Sequence, residues 1–432
     1  MARLRAAAVT EPGRLRIIGA VLAALVVLFG VVTAWQITDR SAAAQDVVGR
    51  SQPLSADAAS IYRSLADADT ASSSGFLAGS GETREVRERY EKDIANASRL
   101  LVKAAANAGD SPESARQISL LNEGLPGYTG LIEQARANNR QGLPLGGAYL
   151  RYANDRMSTQ LLPAAQKLYE EETRHLYDDY AAAGSWPLAA LAAGLAALAA
   201  LGWMQRRTYL RTHRVFNHGL LAATAASAVV LLWLTAGHAV ARSDLLESRE
   251  HGQESLKVLN DARISSLQAR ANENLTLVSR GAVLAADKKS DKYDVDFGGA
   301  MARLDARLAA ALKLADDAPG TAPVDRAMAG AREWRKRHAA ARSVDLTGDY
   351  QGALDQVIGG TSVAYAKSSG ACFDTVDAAL EAALAHEQRQ FTRAAQGGLD
   401  AFGGLVAGAG ALAALGAAGA LLGIGRRLSE YR

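Results

Sequence analysis

The sequence predicts an all-α membrane protein with four transmembrane helices and two tandem extracytoplasmic antiparallel four-helix bundles. The chain of 432 residues has only 9 prolines and 6% aromatic residues, and it is rich in alanine and leucine, the strongest helix formers. Four segments are apolar over a length of about 20 residues, which is the length that a helix needs to cross a bilayer. The two long regions between these segments are rich in charged residues, and their sequence patterns predict helices in the same order in both regions. Together these observations argue against a mainly β or α/β fold.

The four apolar segments carry almost no charge. The predicted spans are residues 17–35, 186–205, 215–240 and 399–424. The first also has features of a cleaved signal peptide, because arginines precede it and Ala42, Ala43 and Ala44 would suit a peptidase. However, Ile17–Trp35 has 19 uncharged residues, more than the about 7–15 apolar residues of a usual signal peptide. We therefore expect an uncleaved anchor.

Basic residues predict the orientation of the spans. Arginines are frequent in three short segments, residues 1–16, 206–214 and 425–432. Glu11 and Glu430 are the only acidic residues of these segments. Because cytoplasmic segments carry an excess of lysine and arginine, we expect a multi-pass protein of the plasma membrane with both termini in the cytoplasm. Residues 36–185 and 241–398 would then form the two extracytoplasmic regions.

The predicted cytoplasmic segments are too short to fold into a domain. This excludes a histidine kinase, a chemoreceptor signalling hairpin or an ATPase within these segments. A signal would have to leave through a partner or through the spans. The residues that could face such a partner are the arginines of the 206–214 loop: Arg206, Arg207, Arg211 and Arg214. The alternative is that these arginines only determine the topology.

Each extracytoplasmic region predicts a long helix, two shorter helices and a second long helix. In the first region we expect helices at 36–80, 82–108, 111–139 and 148–183. In the second region we expect helices at 241–286, 300–316, 324–345 and 346–393. The shared order predicts a tandem duplication of a unit of about 200 residues, and each unit would form an antiparallel four-helix bundle.

The tips of the predicted bundles are candidate partner-binding surfaces. Segments 76–82 and 138–148 would meet at the first tip, and segments 286–299 and 346–350 at the second. Connecting loops carry function more often than the scaffold beneath them, and interfaces favour apolar and aromatic anchors. The candidate residues are Leu143, Leu145, Tyr149, Tyr293, Val295, Phe297, Asp349 and Tyr350. The alternative is that the apolar members only close the ends of their own bundles.

Clusters that suggest chemistry have simpler explanations. Glu171 and His175 have the spacing of metal ligands, but they lie in a strongly charged stretch typical of a solvated helix face. The aspartates within 287–296 are interleaved with lysines and lack the glutamate that closes an EF-hand loop. Cys372, the single cysteine, excludes an internal disulfide. We expect no catalytic residue, no metal, no cofactor and no nucleic-acid partner.

Two resemblances add to these expectations. The extracytoplasmic regions resemble the four-helix-bundle sensor modules of chemoreceptors and sensor kinases. The four-span plan, the stretch from Gly142 to Arg151 (GLPLGGAYLR) and the stretch from Leu161 to Ala165 (LLPAA) resemble the actinobacterial GlnX family. This resemblance implies an extracytoplasmic solute-binding lipoprotein, GlnH, and a cytoplasmic Ser/Thr kinase, PknG, as partners.

The sequence and these resemblances together predict a non-enzymatic signal transducer. It would pass a nutrient signal, which the resemblance implies to be an amino acid, from a solute-binding protein across the lipid bilayer to a Ser/Thr kinase. The alternative is an extracytoplasmic scaffold or a regulatory subunit of another membrane complex. A transporter is less consistent with spans that lack polar or broken positions near the bilayer midplane.

Overall fold

The computed structural model describes residues 11–79, 82–107, 111–212, 217–400 and 403–429. Within these ranges the secondary structure is helical, apart from turns and one isolated antiparallel bridge between Leu284 and Asp291. The predicted all-α class is therefore confirmed for the part of the chain that is described. Residues 1–10, 213–216 and 430–432, which include Arg214 and parts of the predicted cytoplasmic segments, lie outside the described residues.

Fourteen α-helices are labelled here in chain order within the described ranges. They are α1 Glu11–Asp46, α2 Gln52–Ala78, α3 Arg84–Asn107, α4 Pro112–Arg140, α5 Leu145–Arg156, α6 Leu162–Ala183, α7 Leu188–Thr212, α8 His218–Glu247, α9 Glu254–Ser279, α10 Lys292–Leu314, α11 Ala318–Leu346, α12 Tyr350–Ile358, α13 Ser369–Asp400 and α14 Leu405–Ser429. Three π turns, Val47–Ser51, Met157–Leu161 and Ser248–Gln253, join consecutive helices.

The chain divides into two compact units. The apolar unit comprises Met1–Val48, Asp178–Glu247 and Arg393–Arg432, and the helical unit comprises Gly49–Tyr177 and Ser248–Thr392. We call the two parts of the helical unit its first segment (Gly49–Tyr177) and its second segment (Ser248–Thr392).

The apolar unit contains four helices that are long and apolar enough to cross a membrane, α1, α7, α8 and α14. Helix α14 packs against α1 and α8, and α7 packs against the same two helices. The contact between α8 and α14 is close, because a Cβ atom added to Gly219 would clash with the carbonyl oxygen of Gly419. Small residues allow helix backbones to approach in this way within membranes.

Apolar side chains cover much of the outer surface of these four helices. Val31, Leu188, Leu232 and Leu422 are all strongly exposed. A protein in water rarely exposes an apolar surface that is both this long and this continuous, whereas lipid would cover it. The four candidate spans are consistent with a membrane protein.

The two segments of the helical unit agree in the order and length of their helices. Helices α2 and α9 have 27 and 26 residues, α3 and α10 have 24 and 23, and α4 and α11 both have 29. A π turn precedes both α2 and α9. Each segment then continues into a helix pair, α5 with α6 and α12 with α13.

The ends of several helices differ from the sequence prediction. Helix α9 ends at Ser279 instead of Ala286, because Arg280 adopts a left-handed conformation (φ 46°). Helix α10 begins at Lys292 instead of Ala300, because the side chain of Asp291 accepts hydrogen bonds from the backbone N–H groups of Tyr293 (2.8 Å) and Asp294 (3.1 Å). The aspartates that suggested a loop therefore start a helix.

Two predicted helices are also interrupted. The last long helix of the second segment, expected from 346 to 393, is divided into α12 and α13 by residues 359–368. The last span, expected at 399–424, begins as a separate helix at Leu405. Pro163, whose missing N–H breaks the hydrogen-bond ladder of a helix, follows the end of the π turn Met157–Leu161 by two residues.

Candidate ligand cavity between the two segments

A cavity of about 740 Å³ lies between the first and second segments of the helical unit. One wall comes from α2 and α3, and the other comes from α9, α12, the 359–368 loop and α13. We call it the inter-segment cavity. Its lining consists of Thr70, Ala71, Ser74, Leu77, Ala78, Thr83, Glu85, Val86, Arg89, Arg270, Gln351, Leu354, Asp355, Ile358, Gly359, Gly360, Thr361, Tyr365, Phe373 and Asp374. Its volume is in the range of small-molecule sites, about 300–1,000 Å³.

The pairing of α2 with α9 holds the two walls together. Thr70 Oγ1 donates a hydrogen bond to the carbonyl oxygen of Leu267 (3.0 Å). Asn274 Nδ2 donates to the hydroxyl oxygens of Ser73 (3.1 Å) and Ser74 (2.8 Å). Because small polar residues face each other here, the two backbones approach closely and these hydrogen bonds pair buried polar groups across the contact, although the side-chain oxygen of Asn274 has no hydrogen-bond partner. Thr70, Ala71 and Ser74 of this pair also line the cavity, and their small side chains leave its space unfilled.

The 359–368 loop closes one end of the cavity. Asp355 holds this loop, because its carboxylate accepts hydrogen bonds from the backbone N–H (2.8 Å) and the hydroxyl (2.6 Å) of Ser362. Gly359 has φ 80°, and a Cβ atom there would lie 2.8 Å from the Cα atom of Tyr365. Only glycine fits both the left-handed conformation and this close approach. The interruption of the helix is thus specified by the residues at its start.

Two arginines of the lining lie near the ring of one phenylalanine. The guanidinium groups of Arg89 and Arg270 lie 5.6 Å and 6.0 Å from the ring centre of Phe373. Arg89 pairs with Asp67 at 2.7 Å, and Arg270 pairs with Glu273 at 2.6 Å. Both positive charges are therefore balanced by carboxylates inside the protein.

A buried polar network extends from Arg270 away from the cavity. Glu273 accepts hydrogen bonds from Arg270 and from the indole N–H of Trp334 (3.0 Å), and it contacts His338 Nδ1 at 3.2 Å. His338 Nε2 lies 2.9 Å from a carboxylate oxygen of Asp294, which is partly exposed and also pairs with Arg342 at 3.5 Å. Every member is paired, as buried polar groups need to be.

The network shifts the pKa values of its members. Burial alone would lower the pKa of His338, but the hydrogen bonds to Asp294 and Glu273 outweigh it and raise this pKa to about 9. Burial alone would raise the pKa of Glu273, but the hydrogen bond from His338 and the charge of Arg270 hold it below its usual value. We therefore describe His338 as protonated and Glu273 as ionised at neutral pH.

A second cavity, of about 440 Å³, lies on another side of the α2–α9 pair. Asp69 is its buried acidic group and accepts hydrogen bonds from Asn154 (2.7 Å) and Tyr128 (3.2 Å). Burial raises the pKa of Asp69 to about 6, although both hydrogen bonds oppose this shift. Exposed charged groups, Lys292 and Asp296, lie at its edge, joined by a 3.0 Å ion pair.

The predicted tip residues are only partly exposed. Leu143, Leu145 and Val295 are 46%, 52% and 51% exposed and remain candidates for contact with a partner. Tyr149 and Tyr350 are half-buried.

The two other tip contacts are local. The guanidinium of Arg280 lies 3.9 Å from the ring centre of Tyr350. Asp349 is exposed and caps helix α12 by accepting a hydrogen bond from the N–H of Gly352 (2.9 Å). These contacts give both residues a structural role at the start of α12.

Tyr293 and Phe297, predicted to be exposed, are buried, with exposed fractions of 5% and 4%. The ring of Phe297 stacks on His338 with centroids 3.7 Å apart, and it meets the edge of Trp334 at 5.8 Å. The prediction placed both residues in a loop, whereas they lie in the first turns of α10 and face the core. Both side chains therefore pack inside the second segment and are not exposed at its surface.

The arginines of the predicted cytoplasmic loop are described only in part. Arg206 is exposed, and the guanidinium of Arg207 lies 5.3 Å from the ring centre of Trp203. The side chain of Arg211 and the whole of Arg214 lie outside the described residues.

Among the residues that were searched, which are the described ones, no group of three or more His, Cys, Asp or Glu side chains could hold a metal ion. His175 and Glu171 form a local contact of 3.3 Å on α6.

The comparison with known proteins identifies one similarity. Residues 43–181 match the family model of the actinobacterial sensor domain. This range contains α2 to α5 and most of α6, that is, the first segment with one wall of the cavity. No curated protein and no solved structure matches the chain. The match supports an actinobacterial sensor protein with a sensing or signalling role.

Proposed function

We propose that the protein is a non-enzymatic transmembrane signal transducer. It receives an extracytoplasmic nutrient signal, an amino acid, from a solute-binding protein and passes it to a cytoplasmic Ser/Thr kinase. Both termini and residues 206–214 face the cytoplasm in this proposal, and the helical unit lies outside. The match of residues 43–181 to a sensor domain supports the sensing role. The named partners come from the resemblance to the GlnX family.

The observation that carries the proposal is one long helix. Gly13–Ala78 is helical along its whole length, with the π turn Val47–Ser51 between α1 and α2, and it contains both an apolar window long enough to cross a membrane and the α2 residues that pair with α9. A displacement of α2 relative to α9 would therefore move along a continuous element toward the apolar window. Small shifts of packed helices are an established mode of signal transmission in proteins.

The helical unit further supports two tandem bundles. The paired helix lengths, 27 with 26, 24 with 23 and 29 with 29, are expected if one unit was duplicated. We propose that each segment is an antiparallel four-helix bundle, with α5–α6 and α12–α13 as the respective fourth helices. One chain would then do what two chains do in dimeric sensor modules.

The exposed tip residues are the proposed contact with the solute-binding protein. Leu143 lies in the turn before α5, Leu145 is the first residue of α5, and Val295 lies in the first turn of α10. Polar and charged residues surround these apolar side chains, as in the rims of protein interfaces. The buried residues Tyr293 and Phe297 are no longer part of this surface.

Cross-linking in cells tests the proposal. The full-length chain with Leu143→Asp and Leu145→Asp is compared with the unaltered chain and with Leu120→Asp, a matched change at another exposed leucine on α4. The expected result is that the solute-binding lipoprotein co-purifies with the unaltered chain and with the Leu120 variant, and about tenfold less with the double variant. Phosphorylation of the kinase's substrates should then cease to respond to the amino acid.

The same experiment separates the alternative function. If the captured proteins belong only to the division or cell-wall machinery, and the response of the kinase is unchanged, the protein is a scaffold or a regulatory subunit. Equal capture of the lipoprotein by all three chains would move its binding site away from the tip.

A further inference from the structure

We propose that the inter-segment cavity binds an uncharged, largely apolar small molecule. This inference goes beyond the transducer function, because it concerns a ligand that the chain binds directly. It holds whether or not a solute-binding protein docks at the tips.

The cavity has the size and walls of a ligand site. Its volume of about 740 Å³ would hold a molecule of drug-like size. Apolar side chains from both segments face each other across it, with Leu77 and Val86 on one wall and Leu354, Ile358 and Phe373 on the other. A molecule bound here would be removed from water on both sides, which stabilises it roughly in proportion to its apolar area.

The charged groups of the lining determine the chemistry of the ligand. The positive charge of Arg270 is balanced by Glu273, which is itself only 1% exposed at its side chain. Arg89 is balanced by Asp67. A ligand carboxylate would compete with these carboxylates for arginines that are already paired.

The acidic groups are also satisfied by the protein. Asp355 accepts hydrogen bonds from Ser362, and Asp374 accepts one from the hydroxyl of Tyr365. Glu85, the remaining acidic residue of the lining, is exposed. A ligand ammonium group would therefore lose its hydration, and it would find no unpaired buried carboxylate in the lining with which to form an ion pair. Burial of a charge without a partner is strongly unfavourable, so that the site favours a neutral molecule over a charged one of the same shape.

A ligand in this position would also connect the segments. It would contact α2 and α3 of the first segment and α12 and α13 of the second, and it would lie beside the hydrogen bonds between α2 and α9. By linkage, a molecule that binds only when both walls are in place stabilises that arrangement. The bound molecule would then stabilise one relative position of α2 and α9.

Photolabelling of the full-length chain in lipid nanodiscs tests the inference. The probe is 3-phenyl-3-(trifluoromethyl)diazirine, a small, neutral, apolar reagent, and the labelled peptides are identified by mass spectrometry. Peptides from the lipid-exposed faces of α1, α7, α8 and α14 will also be labelled and serve as the internal standard. The expected result is additional labelling of the peptides that contain Leu354 and Phe373.

A variant that fills the cavity provides the matched comparison. Leu354→Trp should reduce the cavity labelling about tenfold relative to the internal standard, since the probe's space is taken. Leu346→Trp, the same change at an exposed leucine outside the cavity, should leave the labelling unchanged. If Leu354→Trp does not fold, as judged by circular dichroism, Val86→Trp fills the cavity from the opposite wall.

Competition determines the charge of the preferred ligand. Three compounds with one scaffold are compared: 4-phenylbutan-1-ol, 4-phenylbutanoate and 4-phenylbutylamine. The alcohol should suppress cavity labelling at a concentration about tenfold lower than either charged compound, because only the charged compounds have to lose the hydration of an ion.

Two results would overturn the inference. One is cavity labelling that is absent or unaffected by both cavity-filling variants. The other is competition by the carboxylate or the amine at lower concentration than by the alcohol. Capture of the solute-binding protein by the Leu354→Trp chain is measured separately, so that failure of the ligand proposal is distinguishable from failure of the transducer proposal.

Discussion

Replacement of Phe297 by alanine tests whether the end of the second segment is a packed core or a docking surface. Phe297 is 4% exposed, stacks on His338 and meets the edge of Trp334. A buried Phe→Ala change costs about 3–5 kcal/mol, which includes the lost aromatic contacts and the cavity left behind. Val295→Ala in the same helix turn should cost less than about 0.5 kcal/mol, because Val295 is half exposed.

The assay is thermal unfolding of the full-length chain in nanodiscs, followed by near-ultraviolet circular dichroism. In a unit of this size, each kcal/mol lowers Tm by roughly 2–4 °C, so that Phe297→Ala should lower Tm by on the order of 10 °C. Val295→Ala should melt with the unaltered chain. If both variants melt within about 1 °C of it, Phe297 is not part of the packed core and the reasoning about the tip is wrong.

Three further predictions concern titration and topology. The raised pKa of His338, about 9, implies that its protonation contributes about 3 kcal/mol to the free energy of unfolding below pH 6.5, and that this contribution is lost as the pH rises to 9. Tm should therefore fall between pH 6.5 and 9, and His338→Gln should remove this dependence of Tm on pH. The raised pKa of Asp69, about 6, also implies that stability is lost as the pH rises, here from about pH 4 to 6. Asp69→Asn should therefore raise Tm at pH 7, and an unchanged or lower Tm would contradict the desolvation cost assigned to the buried carboxylate. In intact cells of a Cys372→Ala background, a membrane-impermeant maleimide should label Lys289→Cys but not Arg206→Cys; the reverse pattern would reject the proposed orientation.

Hydropathy and helix-start signals predict the four candidate spans and many of the helices. An apolar run of about 20 residues has few alternatives to a membrane helix, and Ser111 followed by Pro112 marks the start of α4 as expected. The helix ends near 280, 292 and 359 were harder to predict. They depend on Arg280, a non-glycine residue in a left-handed conformation, on Asp291, which caps a helix among charged neighbours, and on Gly359, which packs closely against Tyr365.

The inter-segment cavity could not be predicted from local sequence. Arg89 and Arg270 are far apart in the chain and meet at one phenylalanine only because α2 pairs with α9. Helix α9 is buried on nearly all sides, so that Glu273 and Asn274 interrupt any apolar stripe although both are in the interior. The one available signal was the Gly359–Gly360 pair inside a helix predicted to be continuous.

The two walls of the inter-segment cavity belong to different segments of one chain, and this has a consequence for how such a site can change over generations. In a dimer of identical halves, every substitution alters both sides of a shared interface at once. Here a substitution at Val86 changes one wall, and a substitution at Leu354 changes the other. A chain that carries both segments can therefore change the shape of this cavity one side at a time while the α2–α9 pairing is kept.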